Sequence, residues 1–199
     1  MKFFVNFLSA FRIAAAFAVI PTLMFQMYWT TFILYTLGAM SDWFDGYLAR
    51  KYNVCTKIGG VMDHIGDKLL VTNTLILLAI MLQTWIVVVP VIIMIARELY
   101  ISGLREFLGT QKIEMPVPKA RFSMGKIKTT LQMISIAAFL LIFAISTLIT
   151  PTTESRLLMF LVYVLPPIGI YGLWLSLVAS IWSATQYTKT FLGHMKKIK

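Results

Sequence analysis

Leu157–Tyr187 is a run of 31 residues without one charged side chain, and it constrains this chain more than any other feature. Stretches of more than about 18 apolar residues are read as membrane spans. Gln83–Ala96 and Leu131–Thr153 are likewise free of charge. Lipid offers the backbone no hydrogen-bond partner, so a spanning segment must be a helix or part of a closed barrel. The alternation of a barrel strand is absent, which leaves helices. Composition agrees: 59% of residues are hydrophobic and the mean hydropathy is +0.81, against about half apolar in a soluble domain. The expected class is an all-α integral membrane protein.

Apolar patterning predicts six transmembrane helices near 12–28, 31–50, 60–82, 85–109, 126–149 and 157–188. Phe4, Phe7, Leu8 and Phe11 share helical spacing ahead of Arg12, which predicts a short N-terminal helix lying in the interface. Lys2 and the Ala- and Phe-rich run after it superficially suggest a signal peptide. Arg12 interrupts that run and the apolar stretch continues to Trp29, so it reads as a retained first span. Pro166–Pro167 is a candidate break in the sixth helix. The longest polar link, Thr110–Gly125, is too short for a domain, so residues 1–199 read as one membrane domain.

Charge sets the topology. Every Lys and Arg except Arg156 lies near a terminus, the second connection or the fourth. The positive-inside rule then puts both termini and these two connections in the cytoplasm, which requires an even number of spans. A net charge of +10 does not argue for nucleic acid here, because topology and anionic lipid head groups account for a basic face. The lone cysteine, Cys55, excludes an internal disulfide and argues against a thiolate metal site.

Four aspartates stand against this apolar background: Asp42, Asp45, Asp63 and Asp67. A carboxylate at membrane depth is costly unless paired or coordinated, so the cluster points to function. Asp42 and Asp45 are three apart, Asp63 and Asp67 four apart, so each pair shares one helix face. A short connection near 51–58 makes the second and third helices antiparallel neighbours, and the pairs should face each other just below the cytoplasmic surface. Convergent oxygen ligands without His or Cys suit Mg²⁺ or Mn²⁺, with room for two ions. Such ions would offset the buried charge and grip substrate phosphates. Gly46, Ala49 and Gly59 leave space for a bulky ligand beside them. Gly66 reads as a helix-packing glycine. Arg50 sits at the rim, where its fork suits Asp45 or a phosphate. A cation transporter with intramembrane carboxylates is the rival from another class. It would place them near the midplane, with broken helices at matching places in two halves.

Asp42-x-x-Asp45-Gly46-x-x-Ala49-Arg50, eight residues, then Gly59-x-x-x-Asp63-x-x-x-Asp67 resembles the signature of the CDP-alcohol phosphatidyltransferase family at every fixed position. The resemblance implies six membrane helices and often a homodimer. It implies that Asp42, Asp45 and Asp63 hold one metal, and that Asp63 and Asp67, with Asp42, contribute to a second. It implies that Gly46, Ala49 and Gly59 contact the CDP moiety of CDP-diacylglycerol, and that Asp67 is the base for the incoming hydroxyl. His64 stands where relatives often have proline.

Residues 96–107 and 125–133, with Asn6-x-x-Ser9-x-x-Arg12, look like the branch of the family whose acceptor is glycerol 3-phosphate. A dianionic acceptor needs cations, and Arg97, Arg105, Lys126 and Lys128 are the candidates. Glu98 and Arg105, seven apart, read as a structural pair. The expected site faces the cytoplasm from the inner membrane of a bacterium. Cardiolipin or phosphatidylinositol phosphate synthesis is the nearest alternative within the family.

Overall fold

The computed structural model describes residues 2–52, 57–110, 124–149 and 155–198, with side chains described for 7–41, 61–62, 64–110, 125, 127–149 and 155–193. The described residues form six helices: α1 (Lys2–Met24), α2 (Tyr28–Tyr52), α3 (Lys57–Leu82), α4 (Trp85–Thr110), α5 (Met124–Ser146) and α6 (Arg156–Ile198). Five of them contain stretches long and apolar enough to cross a membrane. The other, α2, has 25 residues, a length of about 37 Å, and carries Asp42, Asp45, Arg50 and Lys51 in its second half.

Side-chain contacts fix the helix directions. Arg12 Nε donates to Gly38 O at 3.3 Å while Thr31 Oγ1 bonds Thr22 Oγ1 at 3.0 Å, so α1 and α2 are antiparallel. Asn73 Nδ2 donates to Ala16 O at 2.9 Å and Gly66 packs on Arg12, so α1 and α3 run the same way. Trp174 Nε1 bonds Ile86 O at 3.0 Å and Arg97 Nε bonds Ser180 O at 3.1 Å, which makes α4 and α6 parallel. Gly169 lies under the Phe139 ring and Gly172 abuts Ser135, which sets α5 against α6 in the opposite sense. The result is an up-and-down bundle.

Tight reversals join the helices at the end opposite the charges. Gln26 and Gln83 take the left-handed conformation, with φ of 58° and 46°, and turn α1 into α2 and α3 into α4. Met27 O accepts from Thr31 N at 2.9 Å at the first of these turns.

A central cluster includes Val19, Leu23, Tyr35, Leu70, Leu78, Met94, Leu140 and Leu173. Phe17, Ile33, Ile92, Leu175, Val178 and Trp182 point outward and exposed. That apolar exterior matches a lipid surround, where helices associate by close packing rather than by hiding from water. The glycines at 38, 66, 169 and 172 serve this purpose: a Cβ at Gly38 would lie 2.7 Å from Leu70 Cδ2, and one at Gly66 would lie 3.3 Å from Ile13 Cγ1.

Three expectations need correction. No separate interfacial helix precedes the first span; α1 is continuous from Lys2 to Met24. Arg12 suggested a boundary, but its side chain is fully buried, bonding Gly38 O and Ser41 Oγ, and has no need of the interface. Secondly, α2 and α3 are not each other's sole neighbours: among the described residues α1 packs against both more extensively than they pack against each other. Thirdly, α6 runs unbroken through Pro166 and Pro167 and reaches Ile198.

Candidate active site at the charged end of the bundle

The contact of Gly38 in α2 with Leu70 in α3 provides a reference level. The helices are antiparallel, so counting from it toward the charged end advances along α2 and back along α3. At 1.5 Å per residue, Asp42 stands about 6 Å beyond this level and Asp67 about 4.5 Å. Asp45 and Asp63 each stand about 10 Å beyond it. The four positions thus form two layers about one turn apart. The side chains of Asp42, Asp45 and Asp63 lie outside the described residues, as do those of Gly46, Ala49, Arg50, Gly59 and Lys126.

Asp67 is described, and it is partly buried. It lines a cavity of about 30 Å³ between α3, α4 and α5, together with Lys68, Glu98, Lys128, Thr129 and Gln132. Val71, Leu75, Met94 and Ile95 close the deep side. Lys128 is buried and forms an ion pair with Glu98 Oε1. Glu98 Oε2 also accepts from Arg97 Nη1 at 3.3 Å. Lys68 Nζ donates to Ser102 Oγ at 2.6 Å. Two ammonium groups therefore share this cavity with the Asp67 carboxylate, each held by a partner on α4.

Arg97 and Arg105 sit elsewhere. The Arg97 fork turns to α6, where Nε bonds Ser180 O at 3.1 Å and Nη2 bonds Ser183 Oγ at 3.0 Å. Arg105 is exposed; its Nη2 bonds Tyr187 Oη at 2.9 Å and its guanidinium lies 5.0 Å from that ring's centre. Glu98 and Arg105 do not pair with each other, since Glu98 is taken by Arg97 and Lys128. The two arginines belong to the α4–α6 seam, and only Lys128 of the described acceptor candidates lines the cavity with Asp67.

Sequence reasoning missed Lys68, Glu98, Thr129 and Gln132 as lining residues. The signal for Lys68 was present: a lysine next to an intramembrane aspartate is as costly as the aspartate itself. Arg12 gave a similar signal. It is buried at the level of Gly38 and Ser41 of α2 and touches Gly66 of α3. Among the described residues, no group of three or more His, Cys, Asp or Glu side chains could hold a metal; three of the four aspartates lie outside that set.

A polytopic helical membrane protein with a charged, partly enclosed chamber at one end is the class that this fold and site define. Residues 3–182 match the family model for CDP-alcohol phosphatidyltransferase. A CDP-diacylglycerol–glycerol-3-phosphate 3-phosphatidyltransferase of Rickettsia bellii is 34% identical over 191 residues, 92% of each chain. Proteins of the same name from Sodalis glossinidius and Escherichia coli K12 are 34% identical over 155 residues and 38% over 112 residues. These alignments cover 78% and 55% of this chain, and 74% and 60% of the relatives. The chain belongs to the CDP-alcohol phosphatidyltransferase family.

Proposed function

We propose that this protein transfers the phosphatidyl group of CDP-diacylglycerol to glycerol 3-phosphate, giving phosphatidylglycerophosphate and CMP. The observation that carries this reading is the end-to-end similarity to a relative bearing that activity in its name. The cavity that sets Asp67 beside Lys68 and Lys128 is what a dianionic acceptor requires.

Asp42, Asp45, Asp63 and Asp67 would hold one or two divalent ions, Mg²⁺ or Mn²⁺. The two matched layers of aspartate positions along α2 and α3 and the absence of softer donors in the motif fit that role. Bound there, the ions would supply electrostatic stabilisation of charge on the transferring phosphoryl group. Gly46, Ala49, Arg50 and Gly59 would receive the CDP moiety on the same side.

The chain's own groups carry the acceptor half of the reaction. Asp67 takes the proton from the acceptor's primary hydroxyl, whose oxygen bonds the lipid-side phosphorus. The bond from that phosphorus to CMP breaks, and the electron pair leaves with CMP. Lys68 and Lys128 hold the acceptor phosphate. A cavity of about 30 Å³ admits about one water, so the acceptor must enter by exchanging contacts. Lys128 releases Glu98, and Lys68 releases Ser102, in favour of phosphate oxygens. The basic end faces the cytoplasm of a bacterial inner membrane under the positive-inside rule, with six spans and both termini inside. Arg97 and Arg105 then shape the mouth of the site from the α4–α6 seam.

The test is CMP release from CDP-diacylglycerol by the purified chain, with glycerol 3-phosphate, inositol phosphate or phosphatidylglycerol as acceptor. Turnover with glycerol 3-phosphate alone supports the reading, and a preference for either other acceptor reassigns the chain within its family. EDTA should stop the reaction and Mg²⁺ or Mn²⁺ restore it; turnover that survives chelation removes the metal role.

A further inference from the structure

One polar group in the bundle has no use in anything described so far. Among the described residues the Tyr35 hydroxyl is buried without a hydrogen-bond partner, and the whole residue is only 1% exposed. A buried hydroxyl left unpaired costs about 1–3 kcal/mol, and phenylalanine would fill the same space without that cost. Tyrosine at this position therefore calls for a ligand that supplies an acceptor.

Its surroundings identify one. Tyr35 lines an apolar groove between α2 and α5 with Thr36, Ala39, Met40, Met133 and Ala137. The groove holds about 420 Å³, within the range of small-molecule sites, and is apolar in all but its hydroxyl groups. Such a lining accepts hydrocarbon. Met40 and Met133 are unbranched and repack readily, so an entering chain can reach the tyrosine between them. Along α2, Tyr35 lies seven residues before Asp42, about 10 Å deeper in the bundle. Positions 35, 38, 42 and 45 also recur at helical spacing and so follow one stripe of α2. A glycerophospholipid whose phosphates sit at the aspartate layers hangs its ester groups, and then its chains, in this direction.

We propose that Tyr35 is a positioning residue for the lipid donor, its hydroxyl donating a hydrogen bond to an acyl ester carbonyl while the attached chain lies in the α2–α5 groove. This rests on the reading of CDP-diacylglycerol as donor. An ether-linked donor has no carbonyl to accept this bond, so Tyr35 makes the enzyme selective for ester-linked lipid.

The experiment compares CMP release from CDP-diacylglycerol and from its dialkyl ether analogue, with glycerol 3-phosphate, for the wild-type chain and Tyr35→Phe. The wild type should favour the ester donor about fivefold in kcat/KM, the value of one hydrogen bond. In Tyr35→Phe that preference should vanish through loss on the ester donor, with the ether donor unchanged. Thermal unfolding in detergent should show Tyr35→Phe at least as stable as wild type, since only an unpaired oxygen is lost. Preference for the ester retained in Tyr35→Phe, equal losses on both donors, or no preference in the wild type overturns the inference and leaves the proposed activity intact. No CMP release from either donor by the wild type overturns the proposed activity instead.

Discussion

Glu98→Gln tests the architecture of the site most directly, because one carboxylate holds two cations. Its Oε1 pairs with Lys128 and its Oε2 lies 3.3 Å from Arg97 Nη1; the Lys128 side chain is 6% exposed and that of Glu98 27%. At an effective dielectric of about 20, an ion pair at 3.3 Å has a gross attraction of about 5 kcal/mol. Desolvation of both partners offsets much of this, and the amide of glutamine keeps an acceptor for one cation. Removing one member of a buried pair typically costs about 3–5 kcal/mol. Partial exposure and the retained acceptor bring the expected loss to about 2–3 kcal/mol. In a chain of 199 residues that lowers the unfolding midpoint by about 5–10 °C. The assay is intrinsic tryptophan fluorescence of detergent-solubilised protein heated at one fixed rate. Lys128→Met alone should cost less, because Glu98 keeps Arg97. The double variant Glu98→Gln with Lys128→Met should recover at least about 1 kcal/mol relative to the sum of the single changes. A Glu98→Gln protein as stable as wild type, or strictly additive losses, would refute the claim that this carboxylate anchors Lys128.

Three further outcomes follow from the same geometry. Asp67→Asn should lower turnover by about 10²–10⁴-fold, as expected for loss of a general base, with an unfolding midpoint close to wild type; full activity removes Asp67 as the base. Lys128→Met should raise the KM for glycerol 3-phosphate well above its effect on the KM for the lipid, and by more than Arg105→Ala does, since Arg105 lies outside the Asp67 cavity. The reverse order in steady-state kinetics would move the acceptor phosphate to the α4–α6 seam. Gly172→Ala should destabilise the chain by about 1–3 kcal/mol, because a Cβ there collides with Ser135 Oγ, and Ser135→Ala in the same chain should recover most of the loss in thermal unfolding.

The six helices were legible because each depends on local apolar spacing and on the cost of charge in hydrocarbon. Helix period alone puts Asp42 with Asp45 and Asp63 with Asp67, and a short connection makes α2 and α3 antiparallel. Position in a bundle is different. Nothing in the sequence of α1 announces that it packs against both partners, since that depends on Gly38 and Gly66 admitting close neighbours. Arg12 was read as a helix boundary for the same reason: a charge in an apolar run looks like an interface until its bonds to Gly38 O and Ser41 Oγ are known. Arg97 and Lys128 were grouped as one cluster from their shared end of the bundle. Which way a long side chain turns is decided by its acceptors, and Ser180 and Ser183 draw Arg97 to α6.

The partners of these cations suit the proposed acceptor site. A carboxylate partner both positions a cation and cancels its charge, whereas a hydroxyl or carbonyl only positions it. Lys68 is held by the Ser102 hydroxyl and Arg105 by the Tyr187 phenol. Arg97 is held by a carbonyl and a serine, and shares the single Glu98 with Lys128. Four cations are thus fixed in place with Glu98 as their one acidic partner among the described residues; Lys68 and Lys128 share the cavity of Asp67, and Arg97 and Arg105 stand on the α4–α6 seam. Neutral hydrogen bonds hold Lys68 and Arg105 in place without cancelling their charge. In the proposed reaction the acceptor phosphate takes over Lys68 from a neutral hydroxyl, which costs less than breaking an ion pair. Had each lysine and arginine met its own aspartate or glutamate, the helices would pack as well, and the proposed acceptor site would lose the charge it relies on.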